Sequence, residues 1–221
     1  MASPTASPPA AEAAGSFCDI VREHARDSGN TPAFTYGEEV ITFADLEENS
    51  NRVANALAAF GVKKGERVAF LGKNHPLYFE ALLGAAKIGA VMTPVNWRLA
   101  PPEVAYILDN SCSRVVFLGE GFADVLAKVR GQLPDVEQVI GIDAPDHAGT
   151  DYRIWRDGFP ARAPQTRVGL EDDALQLYTS GTTGRPKGAV MTHGSILSSR
   201  DAVGQEGEMR SWQEPVEGDV T

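Results

Sequence analysis

Between Arg67 and Ile142 the chain alternates short β-branched runs with helical stretches, and few folds accept that rhythm. Strand Arg67–Leu71 leads to helix Pro76–Ile88, and strand Ala90–Pro94 to helix Pro102–Leu108. Strand Arg114–Leu118 leads to helix Phe122–Arg130, and strand Gln138–Ile142 follows. Pro76 and Pro102 suit first-turn positions, where no backbone N–H is needed. Phe122, Val125, Leu126 and Val129 form a one-face stripe. Strands that alternate with helices pair in parallel through right-handed crossovers. The expected fold class is therefore α/β: a parallel sheet flanked by helices.

The flanking segments add detail. Phe17, Ile20, Val21 and Ala25 fall on one helical face, which Asn30-Thr31-Pro32 breaks. Ala33–Tyr36 and Val40–Thr42 read as a hairpin around Gly37-Glu38-Glu39. Thr42, with Asp45 three residues later, is the expected cap of a helix carrying Phe43, Leu46, Ser50, Val53, Leu57 and Phe60, stopped at Gly61. Gly84, Ala85, Ala86 and Gly89 give a small-faced helix that can lie close to the sheet. Residues 143–170 are loop-rich, with one helical turn at Tyr152–Trp155. Beyond His193 a helix is expected at Gly194–Val203, then a polar stretch over 204–218 and a new strand from Asp219. Residues 1–15, rich in Pro, Ala and Ser, read as a disordered tail, which leaves 16–221 as the folded unit.

Composition narrows the function classes. The formal net charge is −10. That excludes an electrostatic footprint for nucleic acid and disfavours charge tethering to an anionic membrane. No apolar run approaches a membrane span, and the N-terminus has neither a basic region nor an apolar core for secretion. Cys18 and Cys112 make no disulfide framework and read as buried or half-buried residues of a reducing compartment. A cytoplasmic location follows as the expectation. His24, His75 and His147 read as partnerless surface or packing residues, and Asp172 and Asp173 as solvated. Oligomeric state stays open.

The densest chemistry lies in Tyr178–His193, YTSGTTGRPKGAVMTH. Four hydroxyls, from Thr179, Ser180, Thr182 and Thr183, surround Gly181 and Gly184, and Lys187 follows. Glycines bring backbone N–H groups close to a ligand, hydroxyls donate hydrogen bonds, and the lysine adds a mobile charge. Together they make a polyphosphate cradle. The P-loop spacing G-x-x-x-x-G-K-[ST] does not fit, because Lys187 lies three residues after Gly184 and Gly188 follows it. Pro186 opposes a helix there. Strand-like runs at Ala174–Tyr178 and Gly188–Thr192 predict a glycine-rich loop inside a hairpin.

The string YTSGTTGRPKG resembles the signature of the adenylate-forming superfamily of acyl-CoA synthetases and related AMP-dependent ligases. GVKKGERVAFLGKN (61–74) is similar to the family's opening strand and its approach, and GAVMTPVNWRLAPPEVAYIL (89–108) resembles the segment common in its bacterial fatty-acyl and medium-chain CoA ligases. The resemblance implies two half-reactions: a carboxylate and ATP give an acyl-adenylate and pyrophosphate, and coenzyme A then displaces AMP. It implies that Thr179, Ser180, Gly181, Thr182, Thr183, Gly184 and Lys187 hold the β- and γ-phosphates. Lys187 would neutralise the departing pyrophosphate, and the Ser180 hydroxyl would join the Mg²⁺ shell. Gly181, Gly184 and Gly188 would keep the loop mobile until ATP binds. His193 reads as a cap of the following helix, with a place in the acyl pocket as the alternative. Trp97 reads as packing and Arg98 as pairing with an acidic neighbour, with substrate contact the alternative for both.

Members of the superfamily are much longer. Their adenine-, ribose- and Mg²⁺-binding stretches and a C-terminal lysine match nothing up to Thr221. The resemblance therefore implies a partial N-terminal AMP-binding domain, inactive alone, with an unfinished sheet edge. An aryl-CoA ligase, a carrier-protein-acylating ligase and a non-catalytic truncated phosphate-binding or interaction protein are the alternatives.

Overall fold

In the computed structural model the described residues are 15–145, 147, 149–179 and 185–198. The first 14 residues of the expected tail, the end of the last helix, the polar stretch 204–218 and the strand from Asp219 lie outside them. Helix α1 (Cys18–Ser28) precedes a hairpin of β1 (Pro32–Tyr36) and β2 (Glu39–Thr42). Helix α2 (Phe43–Ala59) starts on a reciprocal cap: Asp45 N donates to Thr42 Oγ1 at 3.1 Å, and Thr42 N donates to the Asp45 carboxylate at 3.0 Å. Gly61, at φ +92, turns the chain out of the helix.

The rhythm read from the sequence then unfolds as β3 (Arg67–Gly72), α3 (Leu77–Lys87), β4 (Val91–Asn96), α4 (Pro101–Asn110), β5 (Ser113–Gly119), α5 (Ala123–Val129) and β6 (Gln138–Ile142). A two-residue strand β7 (Thr150–Asp151) and a short helix α6 (Tyr152–Asp157) follow, then β8 (Asp173–Thr179) and β9 (Lys187–Thr192). The sheet order is β7-β6-β5-β3-β4-β8-β9. All its pairings are parallel except that of β8 with β9. The expected α/β class holds.

Side chains alternate across this sheet and both faces are covered, so its inner strands are apolar throughout. Val68, Phe70, Met92, Val115 and Phe117 join Ala81 and Ala85 of α3 and Val53 and Leu57 of α2 on one face. Ala69, Leu71, Val116 and Leu118 meet Val104 and Leu108 of α4 and Leu126 of α5 on the other. No described helix is long and apolar enough to cross a membrane.

Two expectations need correction. The small face of α3 includes Gly84, but this glycine serves contact with α2, not with the sheet. A Cβ there would stand 2.5 Å from Val53 Cγ1. Cys18 is buried as expected, whereas Cys112 is exposed. It occupies the turn between α4 and β5 at φ +51, and that turn carries its side chain to solvent.

Candidate functional site

The predicted phosphate loop sits on the β8–β9 hairpin. Because β8 runs parallel to β4, with Leu175 opposite Met92, its last residue Thr179 leaves the sheet at the carboxyl edge. Ligands of open α/β sheets bind at that edge. In the antiparallel register Thr179 stands opposite Lys187, and both are exposed. Pro186 precedes the returning strand, so the element is strand–loop–strand, as its spacing predicts. Ser180, Gly181, Thr182, Thr183 and Gly184 lie outside the described residues. Among the described residues no cluster of three or more His, Cys, Asp or Glu side chains could hold a metal ion.

Gly188 is not part of the loop. It lies within β9 opposite Tyr178, where a Cβ would stand 2.5 Å from Gln176 Nε2 and 3.0 Å from Tyr178 Cζ. Glycine is required there by a crossing side chain, not by loop freedom. Arg67 Nε donates to Gln176 Oε1 at 3.0 Å and ties the hairpin to the central strand.

The acidic residues at the start of β8 are engaged. Asp172 pairs with Lys64 at 2.7 Å and accepts from Gly169 N at 2.7 Å. The Lys64 ammonium, first among the causes, holds the Asp172 carboxyl below its usual range. Asp173 lies 3.8 Å from Arg67. These pairs replace the solvated reading.

The helix that opens at His193 is capped by Thr192, whose Oγ1 accepts from Ser195 N at 3.1 Å. His193 is fully buried and stacks on Phe17 with ring centroids 4.9 Å apart. Among the described residues neither ring nitrogen finds a hydrogen-bond partner. Burial holds the imidazole below its ordinary value, against the pull of the Asp172 and Asp19 carboxylates; Lys64 adds to the depression. The unfolded chain binds the proton more tightly, so the neutral ring's contribution is intact above pH 6.5 and is lost as pH falls below that value. Each tenfold difference in proton affinity is worth about 1.4 kcal/mol. Urea midpoints measured from pH 8 to pH 5 should therefore fall below 6.5, and His193→Phe should flatten that fall. An unchanged slope in the variant contradicts this.

A concavity of about 530 Å³ opens at the carboxyl ends of β3 and β4 and is lined by residues that include Phe70, His75, Tyr78, Pro94, Trp97 and Arg98. Trp97 packs edge-on against Phe122. The Arg98 guanidinium lies 4.1 Å above the Trp97 ring, so its neighbour in sequence, not a carboxylate, receives it. His75 is not partnerless. Its Nδ1 accepts from Leu77 N at 3.2 Å, which leaves the proton on Nε2, 3.0 Å from Asp143 Oδ2. His24 stacks on Phe43, and the buried His147 Nε2 has no described partner. Nothing in the sequence marked this concavity except a Trp-Arg pair after a strand.

Comparison with known proteins agrees with the fold. The family model described as AMP-binding enzyme matches residues 21–220. The chain is 40% identical over 185 residues to a fatty acid–[acyl-carrier-protein] ligase of Streptomyces coeruleorubidus, covering 83% of this chain and 34% of that one. It is 38% identical over 173 residues to a 3-hydroxybenzoate–CoA ligase of Aromatoleum, covering 78% and 33%. The solved Mycobacterium tuberculosis fatty acyl CoA synthetase superposes with a TM-score of 0.75 at 34% identity, covering 85% of this chain and 37% of that one. The chain thus spans about a third of the length of the curated relatives it matches.

Proposed function

Since the chain belongs to the AMP-binding enzyme family, we propose that the intact protein is an ATP-dependent carboxylate–CoA ligase and that this chain supplies its phosphate end. A carboxylate oxygen attacks the α-phosphorus of ATP, the bond to pyrophosphate breaks, and an acyl-adenylate forms. The thiolate of coenzyme A then attacks the acyl carbon and AMP leaves. Resting on the pairing of Thr179 with Lys187 at the carboxyl edge, the reading gives this chain a limited part. The Thr179 hydroxyl donates to a phosphate oxygen, and the Lys187 ammonium offsets charge as pyrophosphate departs. Ser180, Gly181, Thr182, Thr183 and Gly184 complete the cradle. The Ser180 hydroxyl would help to hold a phosphate-bound Mg²⁺, which would supply charge neutralisation there; Mg²⁺ takes few protein ligands when phosphates are present.

The segment from residue 16 onward is read as part of an N-terminal AMP-binding domain, with the groups for adenine, ribose and carboxylate supplied elsewhere in the intact protein. The acid is read as fatty or otherwise hydrophobic, supported by the fatty-acyl relatives. An aromatic acid is the second reading, supported by the hydroxybenzoate ligase, and a carrier-protein thiol is the alternative acceptor. A cytoplasmic location suits the exposed free thiol of Cys112.

Isothermal titration of the chain with tripolyphosphate at low salt tests the phosphate end. Saturable binding that weakens as salt rises is expected, with orthophosphate binding far more weakly. A folded chain that takes up no tripolyphosphate rules the reading out.

A further inference from the structure

Helix α4 reaches the hairpin on both sides of its tip. The Tyr106 hydroxyl donates to the Pro186 carbonyl at 3.1 Å. The Tyr178 hydroxyl donates to Asn110 Oδ1 at 2.7 Å. Tyr106 and Asn110 are four residues apart, so they stand on one helix face a single turn from each other. Their partners stand on opposite arms. Pro186 immediately precedes Lys187, and Tyr178 immediately precedes Thr179. One helix face thus grips both arms one residue from the Thr179–Lys187 pair.

Further contacts fix each grip. The Arg185 guanidinium lies 5.4 Å above the Tyr106 ring. Gln176 Nε2 donates to the Tyr178 hydroxyl at 3.1 Å, so that hydroxyl accepts from one side and donates to Asn110 on the other. Burial pushes the Tyr178 phenol above its ordinary value, which keeps it a donor. Gly188 leaves the space through which the Tyr178 ring crosses. Neither Tyr106 nor Asn110 stands at the tip of the hairpin.

From this geometry we infer that Tyr106 and Asn110 are positioning residues for polyphosphate binding, holding the two arms so that Thr179 and Lys187 face the ligand at a fixed separation. The inference rests on the phosphate-end reading and deepens it. Without either hydrogen bond the arms must be ordered when ligand binds, and that ordering is subtracted from affinity.

The test uses the chain itself, with Tyr106→Phe, Asn110→Ala and Asn110→Asp variants. Three quantities are read: amide hydrogen exchange along 185–190, tripolyphosphate affinity and the thermal midpoint. Tyr106→Phe keeps the ring and loses only the hydroxyl. It should speed exchange at Lys187 and Gly188 about tenfold, a local loss of about 1.4 kcal/mol. It should weaken tripolyphosphate binding about three- to tenfold and leave the midpoint nearly unchanged. Asn110→Ala should do the same, and Asn110→Asp, which keeps an acceptor for Tyr178, should restore most of the affinity. Wild-type affinity in Tyr106→Phe overturns the inference, and so does exchange that rises throughout the sheet with a lowered midpoint, which marks a general structural role. If the wild-type chain binds no tripolyphosphate, the ligase reading fails; local exchange at Lys187 then decides separately whether the grip on the arms exists.

Discussion

Glu80→Ala should lower the stability of the folded chain by about 3–5 kcal/mol, because it removes the buried carboxylate from an ionic cluster. Glu80 lies on α3 at 2% exposure. It accepts from Asn49 Nδ2 of α2 at 3.0 Å, and from the Tyr152 hydroxyl at 3.1 Å and Arg156 Nη1 at 2.8 Å, both on α6. Three donors from two other helices therefore converge on one side chain. Burial pushes the Tyr152 phenol well above its ordinary value, so it remains a donor that needs an acceptor. Without Glu80 the Arg156 guanidinium, whose side chain is only 11% exposed, keeps Asp157 as its carboxylate partner but loses the inner one. Loss of the inner partner of a largely buried guanidinium, together with an unsatisfied Tyr152 hydroxyl, dominates the expected loss.

Lys87 provides the comparison. Its ammonium donates to Glu47 Oε2 at 2.7 Å and to Ser50 Oγ and Asn51 Oδ1 at 2.8 Å each. Lys87→Met leaves acceptors with other recourse: the Glu47 side chain is 15% exposed, and Ser50 already donates to the Leu46 carbonyl. The cost should therefore be smaller than for Glu80→Ala. Urea denaturation of both variants gives the ranking. A Glu80→Ala loss under about 1 kcal/mol, or a larger loss for Lys87→Met, contradicts the account.

What the sequence made legible follows from which forces are local. The runs of β3 to β6 are apolar at successive positions because both faces are buried, and that pattern reads without a structure. The hairpin at Tyr178–Thr192 was legible through the strand-like runs Ala174–Tyr178 and Gly188–Thr192 on either side of the glycines. The order of the strands was not, since β3 is central only because α4 carries the chain back across it. Asp172 and Asp173 looked solvated because their cations, Lys64 and Arg67, lie far upstream. Arg98 was assigned a carboxylate, but the adjacent Trp97 ring competes better at an exposed site. Glu80 did leave a trace. It is the one acidic residue in LYFEALLGAAK, a helix otherwise apolar on most sides, and such a residue calls for a buried partner.

Lys187→Ala should weaken tripolyphosphate binding to this chain about ten- to a hundredfold. In the intact protein, on the proposed ligase activity, it should slow ATP–pyrophosphate exchange by about 10²–10³, the scale for removing one preorganised electrostatic contact. The Lys187 side chain is exposed, and no described carboxylate pairs with it, so its charge is free for a ligand. Two unit charges 4 Å apart near a protein surface interact by about 4 kcal/mol before desolvation and ordering are subtracted. A net loss of about 1.4–2.7 kcal/mol in binding is what survives those subtractions, and it corresponds to the stated range. Charge accumulates on pyrophosphate as the bond to the α-phosphorus breaks, so the rate should suffer more than the affinity, and kcat should fall further than KM rises. Lys187→Arg keeps the charge but replaces a compact ammonium with a planar fork, so binding should recover more completely than turnover. Thr179→Val, which removes one neutral donor opposite Lys187, should cost only about 1 kcal/mol. If Lys187→Ala binds tripolyphosphate within twofold of wild type at low salt, the hairpin tip is not where the phosphates sit.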